Sequence, residues 1–126
     1  MNELTTLEGA VIRKLLDGDD ETLAILRTQA EALKVLDREF TGVGFYTKIS
    51  APPELERTNK RSLVFGDVEA EIPELENGAG FLLYVENGLL HMLEGYTYGS
   101  ERWPEQVTSF KLRYHRDPRN LSELHA

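Results

Sequence analysis

Residues 80–98 read GFLLYVENGLLHMLEGYTY, and this stretch decides the fold. Asn87 and Gly88 lie between two runs in which apolar and polar residues alternate. Both residues tolerate the positive φ angles of a two-residue turn. The stretch therefore predicts a β-hairpin with one strand at residues 80–86 and the next at residues 89–98.

The two-residue turn also predicts the register of this hairpin. Counting outward from the turn places Phe81 opposite Glu94, with Met92 on the same face as Phe81. Because side chains alternate with a period of two, Tyr96 and Tyr98 fall on that face as well. The register therefore predicts a carboxylate, Glu94, at the edge of an apolar layer.

Before the hairpin, the spacing of apolar residues changes from three or four residues to about two. Residues 4–16 and 19–34 carry apolar side chains at three- and four-residue steps with Gly18 between them, which is typical of an antiparallel helix pair. After Lys34 the period is close to two, and further strands are predicted at residues 35–40, 43–49, 62–72 and 108–115. Gly42 and Gly44 are compatible with a bulge that joins the first two of these into one bent strand.

These elements predict an α+β fold. The expected architecture is an N-terminal antiparallel helix pair packed on a curved, mainly antiparallel sheet of about five or six strands. A chain of 126 residues has room for one core, so residues 1–126 are expected to form a single domain. Within it, residues 1–34 form the helical hairpin, 35–116 the sheet, and 117–126 a short helix or a frayed tail.

The net charge of −8 is concentrated in the middle of the chain. The stretch from Asp67 to Glu105 contains nine carboxylates and only one lysine or arginine, Arg102. The same stretch contains five aromatic side chains, Phe81, Tyr84, Tyr96, Tyr98 and Trp103. An excess of carboxylates repels phosphate, so nucleic acid and anionic membrane surfaces are not expected partners. A basic protein is the expected partner of this region.

Glu94 is the most informative single residue for function. A carboxylate near a core needs a partner or a raised pKa, and both conditions are common at functional sites. The favoured interpretation is structural: Glu94 accepts hydrogen bonds from a tyrosine or from an arginine such as Arg113. The alternative is a functional role, with Tyr96 or Tyr98 beside it.

Two further groups are candidates for binding a partner. Asp67, Glu69 and Glu71 alternate with apolar residues, so a strand there would present three carboxylates on one side. Residues 96–105 form a loop in which Trp103 is either a lid over the sheet or the anchor of a protein interface. The predicted partner-binding residues are Asp67, Glu69, Glu71, Glu94, Tyr96, Tyr98, Glu101, Trp103 and Glu105.

No sequence motif points to a metal or a cofactor. Cysteine is absent, the three histidines are not at ligand spacing, and Gly78-Ala79-Gly80 leads into a strand rather than into a helix. The start of the chain has neither a basic segment nor a long apolar one, and no membrane span is evident. A cytoplasmic location is therefore expected.

Four segments of the chain resemble a family of small uncharacterised bacterial proteins. They read REFTGVGFY at residues 38–46, GDV at 66–68, GAGFLL at 78–83 and MLEGYTY at 92–98. The resemblance covers most of the chain after Leu33 and implies a bacterial cytosolic domain. It implies no activity and no catalytic residues.

Three functions are predicted from these observations. The leading hypothesis is a non-enzymatic acidic module that binds a basic protein, and a toxin-neutralising immunity protein is its most concrete form. The first alternative is a small enzyme or ligand-binding protein that uses Glu94 with Tyr96 or Tyr98 in a pocket. The second is self-association into a homodimer through edge strands and the Trp103 loop, without a catalytic role.

Overall fold

The computed structural model describes residues 3–124 and begins with the predicted helix pair. Helix α1 spans Thr6–Leu15 and helix α2 spans Glu21–Ala30. The side chains of Thr5 and Asp20 accept hydrogen bonds from amides in the first turns of α1 and α2, at 3.1 Å in both cases. These caps satisfy amides that a helix start leaves without a partner.

The rest of the chain forms one open sheet of seven strands, which confirms the α+β architecture and adds one strand to the expected number. All pairings are antiparallel. The strand order is β1-β2-β6-β5-β4-β7, and β3 pairs with β5 beside β4. The strands are β1 Lys34–Phe40, β2 Gly44–Ser50, β3 Leu63–Phe65, β4 Val68–Glu71, β5 Ala79–Glu86, β6 Leu89–Thr97 and β7 Lys111–Tyr114.

The hairpin of β5 and β6 keeps its predicted register only next to the turn. Val85 opposes Leu90 as predicted, but Tyr84 then opposes Met92, so His91 is an extra residue on β6. A bulge of this kind shifts the pairing by one residue. Every residue of β6 beyond His91 therefore lies on the face opposite to the predicted one.

This shift corrects the placement of Glu94. The predicted pairing of Phe81 with Glu94 is wrong, because Glu94 opposes Leu82. Glu94, Tyr96 and Tyr98 consequently share the other face of the sheet from Phe81. The Phe81 side chain is buried in the core, whereas those three residues are only half-buried.

The predicted strand at residues 62–72 is two strands, β3 and β4, that lie end to end along β5. The interruption falls near Gly66, where the backbones approach closely. A Cβ atom on Gly66 would lie 1.9 Å from the carbonyl oxygen of Phe81, so no other residue fits without a backbone shift.

The predicted bulge at Gly42 and Gly44 is also wrong. β1 and β2 do not merge into one bent strand but form an antiparallel hairpin, closed by a 2.9 Å hydrogen bond from the Thr41 amide to the Gly44 carbonyl. Gly42 has a φ of 94°, a value that glycine adopts readily and L side chains rarely do.

The two helices cover one side of the sheet, here called the covered face. Apolar side chains of α1 and α2 form one buried cluster with the inward residues of the strands. The most deeply buried members include Val11, Leu15, Leu23, Leu26, Val68, Phe81, Leu83 and Leu93. Burial of apolar surface in this layer is the main stabilising contribution to the fold.

The opposite side of the sheet is here called the open face, because neither α1 nor α2 packs against it. The strand registers and the alternation of burial place on it the side chains of Asp37, Glu39, Tyr46, Lys48, Val64, Glu69, Glu71, Leu82, Tyr84, Glu86, Met92, Glu94, Tyr96, Lys111 and Arg113. Tyr98, directly after β6, lies on the same side, since its hydroxyl adjoins that of Tyr96 above Gly80.

The chain after β6 returns to the core. A 3₁₀ turn at Ser122–Leu124 brings Leu124 into the buried cluster. Residues 1, 2, 125 and 126 of the predicted terminal segments lie outside the described residues. Within residues 3–124, neither helix has the length and apolar character that crossing a bilayer requires.

Candidate functional site

Four tyrosines gather on the open face. Tyr46 comes from β2, Tyr84 from β5, Tyr96 from β6, and Tyr98 follows β6. All four are half-buried. The rings of Tyr96 and Tyr98 pack edge to face with centres 5.8 Å apart at an angle of 76°. Large rings that keep a polar tip in water are typical of protein interfaces.

Glu94 lies in the middle of this aromatic surface. Across the strands it faces Tyr46 on β2 and Leu82 on β5. The Tyr84 hydroxyl donates a hydrogen bond of 2.7 Å to Oε1 of Glu94. The structure thus agrees with the structural expectation for Glu94, that a tyrosine is its donor, while Arg113 bonds Glu69 instead.

Glu94 raises the pKa of the tyrosines around it. The hydrogen bond from Tyr84 to Glu94, together with burial, raises the pKa of Tyr84 to about 12. The negative charge of Glu94 is also the main cause that raises the pKa of Tyr46. The hydroxyls of Tyr84 and Tyr46 therefore stay protonated near neutral pH, and that of Tyr84 remains a donor to the carboxylate.

Glu94 has no basic partner in the part of the chain that the structure describes. Among residues 3–124 no lysine, arginine or histidine lies within ion-pair distance of its carboxylate. Lys48, on the neighbouring strand, opposes Met92 rather than Glu94. A half-buried carboxylate whose protein donor is a neutral hydroxyl has acceptor positions left for a cation from outside.

A second polar group lies beside the tyrosines. Glu69 on β4 pairs with Arg113 on β7, and His115 Nε2 is 3.7 Å from Glu69. The Tyr98 hydroxyl lies 3.3 Å from the same His115 nitrogen. Burial and the neighbouring Tyr96 and Glu69 raise the pKa of Tyr98 to about 12. Unlike Glu94, Glu69 already has a cationic partner.

The predicted partner-binding residues do not form a single patch. Glu69, Glu71, Glu94, Tyr96 and Tyr98 lie together on the open face, and the remaining predicted residues have other surroundings. The acidic and aromatic surface is therefore narrower than the sequence predicts.

Two of the remaining carboxylates are occupied by structural contacts. Arg119 donates two hydrogen bonds to the Asp67 carboxylate, from Nε to Oδ2 at 2.7 Å and from Nη2 to Oδ1 at 2.9 Å. The carboxylate of Glu101 accepts hydrogen bonds from the amides of Glu76 at 2.8 Å and Asn77 at 3.1 Å. Both residues tie chain segments together, so neither is free to receive a partner.

Trp103 belongs to the core rather than to the surface. Its residue is 8% exposed, and its ring packs edge to face on Phe45 with centres 5.1 Å apart. Of the two alternatives for Trp103, a lid over the sheet or an interface anchor, its burial fits the lid. The same burial does not fit the predicted role as a partner-binding residue. A cleft of about 410 Å³ beside it is lined by Arg38, Phe40 and the exposed Glu105.

The predicted partner-binding residues omit Tyr46 and Tyr84, and the sequence analysis missed the pair of buried Glu8 and half-buried Arg38. Arg38 donates two hydrogen bonds to the Glu8 carboxylate, at 2.9 and 2.6 Å, and Thr47 donates a third at 2.5 Å. The period of two along β2 and β5 assigns Tyr46 and Tyr84 each to one face of the sheet. With the bulge on β6 known, this signal places both beside Glu94.

The open face combines a carboxylate with the rings of several tyrosines. A carboxylate and aromatic ring faces both attract positive charge. No group of three or more histidine, aspartate or glutamate side chains within residues 3–124 is placed to hold a metal ion.

No protein-family model, no curated protein and no solved structure gave a significant match to this chain. The resemblance to small bacterial proteins stays a prediction for that reason.

Proposed function

We propose that this protein is a non-enzymatic interaction module that binds a basic partner protein through the open face of its sheet. The observation that carries the proposal is Glu94: a half-buried carboxylate that accepts a hydrogen bond from Tyr84 and has no basic side chain within ion-pair distance in residues 3–124. A carboxylate in that position is compensated best by a positive charge from another molecule.

The charge of the surrounding surface supports the same proposal. Carboxylates outnumber lysines and arginines on the open face: the acids are Asp37, Glu39, Glu69, Glu71, Glu86 and Glu94, and the bases are Lys48, Lys111 and Arg113. A negative surface of this kind steers a basic protein towards it and discriminates against acidic ones. The tyrosines supply contact area that loses little side-chain freedom on binding.

Enzymatic activity has less support. A tyrosine with a pKa of about 12, such as Tyr84 or Tyr98, is a poor general acid or base near neutral pH. The cleft of about 410 Å³ lies beside Trp103 and does not include Glu94. The pocket that the enzymatic alternative requires around Glu94 therefore has no counterpart there.

Homodimerisation by strand pairing also has less support. β1 is an edge strand with Leu36 and Phe40 exposed, but its open-face side chains are Asp37 and Glu39. An antiparallel pair of two β1 strands with aligned faces and full overlap would bring the Asp37 carboxylates of the two copies opposite each other. Like charges directly opposite each other destabilise a sheet. A basic strand from another protein would meet no such repulsion.

Neutralisation of a toxin is the most concrete form of this function. It requires a basic partner encoded next to this protein that is harmful when expressed alone. We expect co-expression of this protein to restore growth, and Glu94→Gln to weaken the rescue because it removes the uncompensated charge. A neighbouring gene whose product is harmless, or rescue that Glu94→Gln leaves unchanged, would argue against this form.

A binding experiment tests the general proposal. The immobilised protein captures partners from the source cell, and a captured protein is then purified and titrated against the wild type and the double variant Glu94→Gln/Tyr84→Phe. We expect the captured protein to be basic and its affinity to fall more than about tenfold in the double variant. Glu31→Gln, which removes one exposed charge at the end of α2, is the matched control and should bind as the wild type does.

The same titration can contradict the proposal. Affinity that is unchanged in the double variant, while thermal unfolding shows that all three proteins are folded, would place the binding surface elsewhere. A captured partner that is acidic would contradict the charge argument itself.

A further inference from the structure

The surroundings of Glu94 define what kind of cationic group fits over it. Its carboxylate has about four lone-pair positions, and the Tyr84 hydroxyl occupies one of them on Oε1. Tyr46 lies opposite on β2, and Tyr96 follows two residues later on the same face of β6. The remaining acceptor positions are therefore bordered by aromatic rings.

The site is a sheet surface and not an enclosed cage. Side chains on a sheet face stand in rows at the spacing of the strands, about 5 Å apart, so the tyrosines border Glu94 without closing over it. A compact ammonium group at such a site keeps much of its water and makes one point contact. A flat group can lie along the rings and meet both carboxylate oxygens at once.

Resting on the proposed function, we infer that the group of the partner bound at Glu94 is the guanidinium of an arginine, stacked against Tyr46 and Tyr96. The guanidinium is planar, forms paired hydrogen bonds with a carboxylate, and is more weakly hydrated than an ammonium group. Glu39, which opposes Tyr46 on the next strand, extends the negative charge on that side, whereas Glu69 on β4 is already paired with Arg113. The bound segment of the partner therefore carries a further basic residue on the β1 side of this arginine.

Three blocked heptapeptides test the inference on the intact protein. They carry arginine, lysine or citrulline at alternate positions, with glycine between. Binding is followed by the aromatic resonances of Tyr46, Tyr84 and Tyr96 at an ionic strength of about 0.15 M, which screens distant charges. We expect the arginine peptide to bind about fivefold more tightly than the lysine peptide, and the citrulline peptide not to bind.

Variants separate the carboxylate from the rings. Glu94→Gln is expected to abolish the preference for arginine and to weaken binding about tenfold, whereas the control Glu31→Gln leaves both unchanged. Tyr96→Phe keeps an aromatic face and is expected to retain binding, whereas Tyr96→Leu loses several-fold. Thermal unfolding of each variant confirms that it is folded.

The outcomes distinguish this inference from the proposed function. Equal binding of the arginine and lysine peptides, both lost in Glu94→Gln, would overturn the choice of arginine and leave the interaction module supported. Arginine-peptide binding that survives Glu94→Gln, or no binding of any peptide, would overturn the site at Glu94. Failure of the proposed function itself is recognised separately. In that case a captured partner binds the Glu94→Gln/Tyr84→Phe double variant with the same affinity as the wild type.

Discussion

Glu8 and Glu94 lie on opposite faces of the sheet, one behind strand β2 and one in front of it. Glu8 is 2% exposed and receives hydrogen bonds from Arg38 and Thr47 on the covered face. Glu94 is half-buried on the open face and receives one from the neutral hydroxyl of Tyr84. The first carboxylate is neutralised by Arg38, whereas the second has no basic partner among the described residues 3–124. The difference separates a charge that holds the fold together from a charge that is available to a partner.

Removal of the two carboxylates is the strongest test of this difference. Glu8→Ala leaves the Arg38 guanidinium partly buried without its counter-charge, so we expect the free energy of unfolding to fall by about 3–5 kcal/mol. Glu94→Ala exposes only hydroxyls that water can reach, and its effect should stay below about 1 kcal/mol. Urea unfolding monitored by tryptophan fluorescence measures both. Equal losses would show that the two sites do not differ in this way.

Two glycines extend the comparison to packing. Gly95 lies on the covered face, where an added Cβ would approach the Phe45 ring to 2.3 Å, and that ring is held by Trp103. Gly95→Ala is therefore expected to cost about 1–3 kcal/mol. At Gly80 an added Cβ would instead meet the hydroxyl ends of Tyr98 and Tyr96, at 2.6 and 2.7 Å.

Gly80→Ala should thus be the milder variant, below about 1 kcal/mol, because tyrosine side chains at a surface can turn towards water. It should still displace the tyrosines and weaken binding of the arginine peptide. Unfolding midpoints of the two variants, compared with that of the wild type, decide the order. A larger loss for Gly80→Ala than for Gly95→Ala would mean that the open face is packed as tightly as the core.

Acid should affect the two carboxylates differently. Burial raises the pKa of Glu8, but hydrogen bonds from Arg38, Thr47 and the Thr5 amide outweigh it, and the net pKa lies below the ordinary value of 4.5. A lowered pKa contributes stability that is fully present above that value and is lost as the pH falls through the folded-state pKa. The loss of stability between neutral and acidic pH should be smaller in Glu8→Gln than in the wild type. Parallel curves for the two proteins would contradict the assignment.

The helices and most strands were predictable because their signals are local. The capping residues Thr5 and Asp20, the alternation along β5 and the turn at Asn87 and Gly88 are all visible within a few residues. The face of Glu94 was not predictable, because the bulge at His91 adds one residue without any glycine or proline to mark it. One added residue reversed the placement of everything beyond it.

Contacts between residues far apart in the sequence were not predictable, for a different reason. Glu8 matches the local capping-box pattern with Thr5, so its partnership with Arg38, thirty residues away, leaves no separate signal. Trp103 in a loop is compatible with either a lid or an interface anchor, and only its packing on Phe45 decides between them. The sequence gives the amount of negative charge but not where it is available. Asp67 and Glu101 accept hydrogen bonds from other parts of the chain.

The smallest expected effect concerns the protonation of Tyr84. The hydrogen bond to Glu94 is the main cause that raises its pKa to about 12, whereas burial is the main cause for Tyr98. Glu94→Gln removes the negative charge and should bring the pKa of Tyr84 back towards 10, with little change for Tyr98. Ring resonances of the two tyrosines, followed up to about pH 11, then show Tyr84 ionising in the variant and not in the wild type. Tyr98 serves as the internal control, and Glu31→Gln as the charge-matched one. If Tyr84 titrated alike in the wild type and in Glu94→Gln, the carboxylate would not be the acceptor of its hydroxyl in solution, and the charge at the centre of the open face would have another partner.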